Sequence, residues 1–162
     1  MRISTGLVIG AVTIGMAVGV GEAAGQTAQS HIGPRVSYNV DAEEFGVGAQ
    51  FAVPIGRRLE FYPSFDYFFV DVGNLWALNA DIKYRATTGG SLDWLYLGGG
   101  LNVTGFSAGP VDETDVGANL LLGLESLRGR VHPFAEGRLT IGDGSTFQIS
   151  AGLNLTIGTH RR

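Results

Sequence analysis

The chain has 162 residues, 26 of them glycine and none cysteine, and a formal net charge of −4. That length fits one domain. With only five prolines and 44% apolar residues the glycine marks neither collagen nor disorder, the missing cysteine removes disulfide and thiolate chemistry, and a single lysine, Lys83, leaves no basic stripe for nucleic acid.

At the N-terminus Arg2 precedes an apolar run over 7–20, which is followed by the small residues of GEAAGQTAQ. This order is that of a secretory signal, with cleavage placed after Gly25 and Ala23 at the minus-three position. Cleavage after Ala23 or Ala28 is nearly as good. A membrane anchor is the other reading, but the run is interrupted by Gly10, Gly15 and Gly19 and falls short of the roughly 20 residues a spanning helix needs. The expected organisation is a signal peptide over 1–25 and one domain over 26–162.

From Ile32 onward a two-residue period recurs between short turn-forming pieces, the mark of β-strands. Eight strands are predicted: 33–40, 45–54, 59–70, 75–85, 92–105, 116–126, 131–141 and 146–158. One face carries Val36, Tyr38, Val47, Phe51, Phe65, Leu78, Ile82, Leu97, Leu101, Leu120, Leu122, Leu139 and, in the last strand, Phe147, Ile149, Leu153, Leu155 and Ile157. It holds no charged residue. The opposite face carries Arg35, Glu60, Asp66, Asp81, Lys83, Arg85, Asp93, Glu125, Glu136 and Arg138 among amides, hydroxyls and many glycines.

Eight antiparallel strands fit two closed sheets. In a secreted soluble barrel of the lipocalin kind the apolar face surrounds a small hydrophobic ligand; in a membrane barrel the faces swap. Exposed strand glycines cover nothing, whereas a narrow eight-stranded lumen needs small residues beside long charged ones. Aromatics give a second test: Phe45, Tyr67, Phe69, Trp76, Phe106 and Phe147 fall near one end of their strands, and Phe61, Tyr84 and Trp94 near the other. Two such belts suit a bilayer. The expected fold is therefore an all-β, eight-stranded antiparallel up-and-down transmembrane barrel, its ten charged residues forming a structural lumen network.

The pieces LYLGGGLNVT, VHPFAEGRLTIG and FQISAGLNLTIG, within a chain of this pattern from Gly33 onward, resemble the small eight-stranded outer-membrane β-barrel family of the OmpA/OmpX type. The resemblance implies a bacterial outer-membrane location, contacts with outer-membrane lipids and with the assembly machinery during insertion, a monomer, no cofactor, and a structural or surface-interaction role without catalysis. Family members usually end the last strand on an aromatic residue; here the chain reads Ile157, Gly158, Thr159, His160, Arg161, Arg162.

Some such barrels modify lipid A, so histidines near the outer rim are the signal for an enzyme. His31 is placed before the first strand, His132 opens the seventh and His160 follows the last, all at the end carrying both termini, and no GxSxG elbow occurs. The DETD run at 112–115 lacks the spaced ligands and glycine of a calcium loop and reads as a solvated acidic loop, the longest outer connection being 107–115. Links after odd strands collect Asp41, Glu43, Glu44, Asp71, Asp112, Glu113, Asp115 and Asp143, while links after even strands collect Arg57, Arg58, Arg128 and Arg130. One rim is expected to be acidic and the other basic.

Overall fold

A computed structural model describes residues 29–86 and 94–157; the expected signal peptide, Asp93 and His160 lie outside the described residues. Eight strands follow in chain order: β1 Ser30–Asn39, β2 Glu44–Pro54, β3 Leu59–Phe68, β4 Asn74–Arg85, β5 Leu95–Ala108, β6 Val111–Glu125, β7 Val131–Ile141 and β8 Ser145–Ile157. Each pairs antiparallel with its neighbours, and β8 returns to β1 to close the barrel. No sheet edge remains, which is what a sheet surrounded by hydrocarbon requires.

Closure sorts the side chains by parity. Val36, Leu101, Leu120, Leu122 and Ile149 all point outward, half or more exposed, Leu122 at 58%. Arg35, Asp66, Asp81, Lys83, Glu125, Glu136 and Arg138 point inward and are buried. A water-soluble protein buries the first set and exposes the second. The apolar exterior and charged interior therefore exclude the lipocalin-like arrangement, in which the lumen would be apolar.

Glycine serves close approach on both faces. An added Cβ at Gly123 would run into the ring of Tyr96, and one at Gly105 into the indole of Trp76. Tyr96 thus lies flat in the lumen across β6, and Trp76 lies flat on the outside across β5. The ladders are interrupted beside Pro34 and Pro63, where β1 meets β8 and β2 meets β3, because proline has no N–H to donate.

Three expectations need correcting. His31 lies within β1, which begins three residues earlier than expected because Ser30 to Ile32 already pair with Ile157 to Leu155. The expected 107–115 loop is a hairpin: β5 and β6 continue to a tight turn at Gly109 and Pro110, so Asp112, Glu113, Thr114 and Asp115 are strand residues paired with Ser107 to Thr104. Phe106 shares the inward parity of Asn102 and Thr104, opposite Leu75, and does not join the outer aromatic belt. Sequence alternation weakens there because the pairing continues past the apolar band.

The lipid-facing assignment has a direct consequence. Leu122→Arg should destabilise the barrel in phospholipid vesicles by about 2–4 kcal/mol, the cost of an arginine at mid-bilayer. Thr140→Ser, which keeps the lumen hydroxyl that donates to Asn119, should stay close to the parent. Urea-dependent folding into vesicles measures both.

Candidate functional site

Among the described residues, the inward strand positions place four cations and five carboxylates along the lumen, in two connected groups. In the first, Glu136 on β7 is the hub. Its Oε1 faces the guanidinium of Arg35 at 3.3 Å and that of Arg138 at 3.2 Å, and its Oε2 accepts from the Tyr96 hydroxyl at 2.9 Å. Arg35 also meets Asp66 at 3.1 Å and donates to Ser150 at 2.6 Å. Arg138 meets Asp81 at 2.8 Å, and Asp81 accepts in turn from Asn119 at 2.9 Å. β1, β3, β4, β6 and β7 are thereby joined across the interior.

The second group lies nearer the end where β1 begins. Arg85 donates to both oxygens of Glu60, at 2.7 and 2.9 Å, and to Glu125 at 2.7 Å. Lys83 reaches the same Glu125 oxygen at 3.3 Å. Its ammonium sits between the faces of Tyr62 and Tyr96, 3.9 and 4.0 Å from the ring centroids. Such sandwiching compensates a buried cation for part of its lost hydration. Gln50 and Asn154 link the groups: Tyr62 donates to Gln50, Gln50 to Asn154, and Asn154 to Glu125.

All nine described members of the expected lumen network are therefore brought together. The sequence reading missed Tyr62, Tyr96, Phe68, Phe134 and Leu121, which also point inward and are buried. Strand parity could have found them, since Tyr62, Phe68 and Phe134 fall in step with Glu60, Asp66 and Glu136 two residues away, and Tyr96 and Leu121 with the inward glycines Gly98 and Gly123. The bulk of the missed side chains, together with that of Arg35 and Arg138, fills much of the lumen, Phe68 lying toward the end away from where β1 begins. A cavity of about 60 Å³ lies toward the opposite end, bordered by Asn39, Asn102, Thr104 and Gln148.

Chemically, the arrangement holds protons and charges in fixed pairs. Every described lumen carboxylate is held by a guanidinium or an ammonium, and a buried charge with its partners in place is far less costly than one alone. The described histidines lie at one mouth: His31 and His132 sit together in the lumen at the end where β1 begins, beside Glu125 and away from the acidic rim that carries Asp41, Asp71 and Asp143. The turns at that same end carry Arg57, Arg58, Arg128 and Arg130, all exposed.

No family model and no curated protein sequence matches the chain. Among solved structures it is similar to the N-terminal β-barrel domain of Pseudomonas aeruginosa OprF, with a TM-score of 0.64 and 18% identity over 80% of this chain and 97% of that one. It is also similar to Neisserial surface protein A, NspA, with a TM-score of 0.56 and 18% identity over 80% of this chain and 95% of that one. The fold is that of the small eight-stranded outer-membrane barrels.

The hub position of Glu136 can be tested by substitution. Glu136→Leu leaves two guanidiniums facing each other without their shared carboxylate and should cost about 3–5 kcal/mol of stability. Glu136→Gln keeps an acceptor for Tyr96 and should cost less. The urea midpoint of the folded barrel in detergent measures the difference.

Proposed function

We propose that the chain is an integral protein of a bacterial outer membrane, a sealed barrel whose role is structural or surface-interactive and involves no catalysis. The observation that carries this reading is the apolar exterior around a lumen of paired charges. Such a surface is stable only where hydrocarbon replaces water, and a closed antiparallel barrel is the β-form that tolerates hydrocarbon. The immediate partners on this reading are the lipids around the belt and, during insertion, the assembly machinery. A monomer suffices, because closure leaves no strand edge for a second copy.

Orientation follows from delivery. A chain exported to the periplasm and inserted from there leaves its even-to-odd turns on the periplasmic side, so Arg57, Arg58, Arg128 and Arg130 face the inner leaflet. Anionic headgroups there attract each charge by about 1 kcal/mol. The acidic rim and the β5–β6 hairpin then face outward.

Fractionation with gel mobility tests the location: the protein should remain with the outer membrane without detergent and shift in mobility only after boiling. Recovery in the soluble periplasm would defeat the reading. In planar bilayers the purified barrel should give no steady porin-sized steps, since water-filled channels use about 16 to 18 strands. Single cysteines at Thr114 and Arg128 test orientation, with an impermeant thiol reagent labelling intact cells at Thr114 and not at Arg128.

A further inference from the structure

At the end of the barrel where β1 begins, His31 and His132 lie side by side inside the lumen, with ring centroids 4.7 Å apart and planes inclined at 54°. Both residues are more than nine-tenths buried, yet neither Nδ1 has a hydrogen-bond partner. Buried polar atoms in that state are uncommon and call for an explanation.

The Nε2 of His132 lies 3.0 Å from the carbonyl oxygen of Gly129 in the β6–β7 turn. A carbonyl can only accept, so Nε2 carries the proton and Nδ1 presents an open lone pair to the lumen. Metal-ligating histidines are oriented in this way, through a hydrogen bond from the second ring nitrogen. Glu125, the last residue of β6, completes the group, its Oε1 standing 4.0 Å from His132 Nδ1.

Glu125 is itself fixed in place. Lys83 and Arg85 hold Oε2, and Asn154 donates to Oε1 at 2.7 Å, which leaves Oε1 room for one more partner. One ligand atom from each of His31, Glu125 and His132 lies within 4.8 Å of the others. Donors about 2.0–2.1 Å from a tetrahedral ion stand about 3.3 Å apart. Ion binding therefore requires the donors to close by at most about 1.5 Å from their present spacing.

We propose that His31, His132 and Glu125 form a binding site for a divalent transition ion, Zn²⁺ in the first instance. Two imidazoles and one carboxylate are a known zinc donor set with a fourth position open to water. The bound ion gives both orphaned nitrogens a partner and ties β1, the closing strand, to β6 and β7 at one mouth of the barrel. Lys83 and Arg85 on the far oxygen of Glu125 weaken its hold on a cation, so the site binds and releases rather than locking the ion permanently. The inference does not depend on the membrane in which the barrel resides.

The test uses the folded barrel in detergent micelles, stripped with a chelator and titrated with Zn²⁺ against a chromophoric indicator, and in parallel with Co²⁺ followed by its visible absorption. One equivalent of Zn²⁺ per chain should bind, and a tetrahedral Co²⁺ band should appear. His31→Ala and His132→Ala should each weaken Zn²⁺ by about tenfold or more and abolish the band, since even outer-shell changes cost about 10–100-fold. His160→Ala should leave both unchanged. Heat-modifiable mobility shows whether each variant is closed, and His31→Gln replaces any alanine variant that is not. Absence of stoichiometric binding by the parent, equal affinity in the closed His31 and His132 variants, or binding removed only by His160→Ala would each overturn the site.

Discussion

A backbone N–H or C=O without a partner is the one thing a sheet in hydrocarbon cannot carry, and the pairing of β8 with β1 removes the last row of them. The other features follow from that closure. A ring of eight strands is narrow, so what points inward must pack as tightly as a protein core. What points outward must be apolar, because each strand alternates between the two environments. The glycines, the flat aromatics and the charge pairs are all ways of fitting polar side chains into a space with no room for bulk water.

The lumen network also fixes strand register. Arg35, Asp66, Asp81, Glu136 and Arg138 meet across the interior from β1, β3, β4 and β7. A slip of one residue in any of these strands would turn its charge toward the outside and leave the partners alone in the lumen. Apolar packing on the exterior cannot provide this discrimination, since lipid accepts one leucine position as readily as another. The ion pairs therefore specify the barrel more than they stabilise it, because desolvation offsets much of their attraction.

Much of this was legible in the sequence because a period of two assigns faces without knowledge of the fold. Arg35, Lys83 and Glu136 could be put on one face, and Leu101, Leu122 and Ile149 on the other, from alternation alone, and the strand glycines and the two aromatic belts said which face is inside. Partners were not legible. Which lumen residues meet depends on the stagger of the strands around the ring, and alternation is silent about height along the axis. Tyr62 and Tyr96 were missed because polarity identified the inner face, and an aromatic ring, whether in step with Glu60 or with Gly98, does not declare itself as polar. Strand ends at 30–32 and 106–115 were misjudged for a related reason: once a hairpin leaves the apolar band, or a strand enters the histidine-lined mouth, pairing continues without the hydrophobic signal that marked it.

The two ends of the barrel differ in how their charge is used. Near the mouth where β1 begins, Glu60 and Glu125 already have Arg85 and Lys83 as partners within the lumen. The exposed arginines of the turns, Arg57, Arg58, Arg128 and Arg130, therefore have no inward carboxylate to satisfy and are turned to the surroundings; Arg58 still donates to Tyr84 on the outer face at 3.3 Å. At the other end β5 and β6, of 14 and 15 residues, run past their neighbours and carry Asp112, Glu113 and Asp115 with them. The exposed arginines at one rim and the exposed carboxylates at the other give the two ends opposite signs toward what lies outside the protein. The asymmetry between the two ends thus lies in the rims, while the apolar belt between them carries no charge that distinguishes one end from the other.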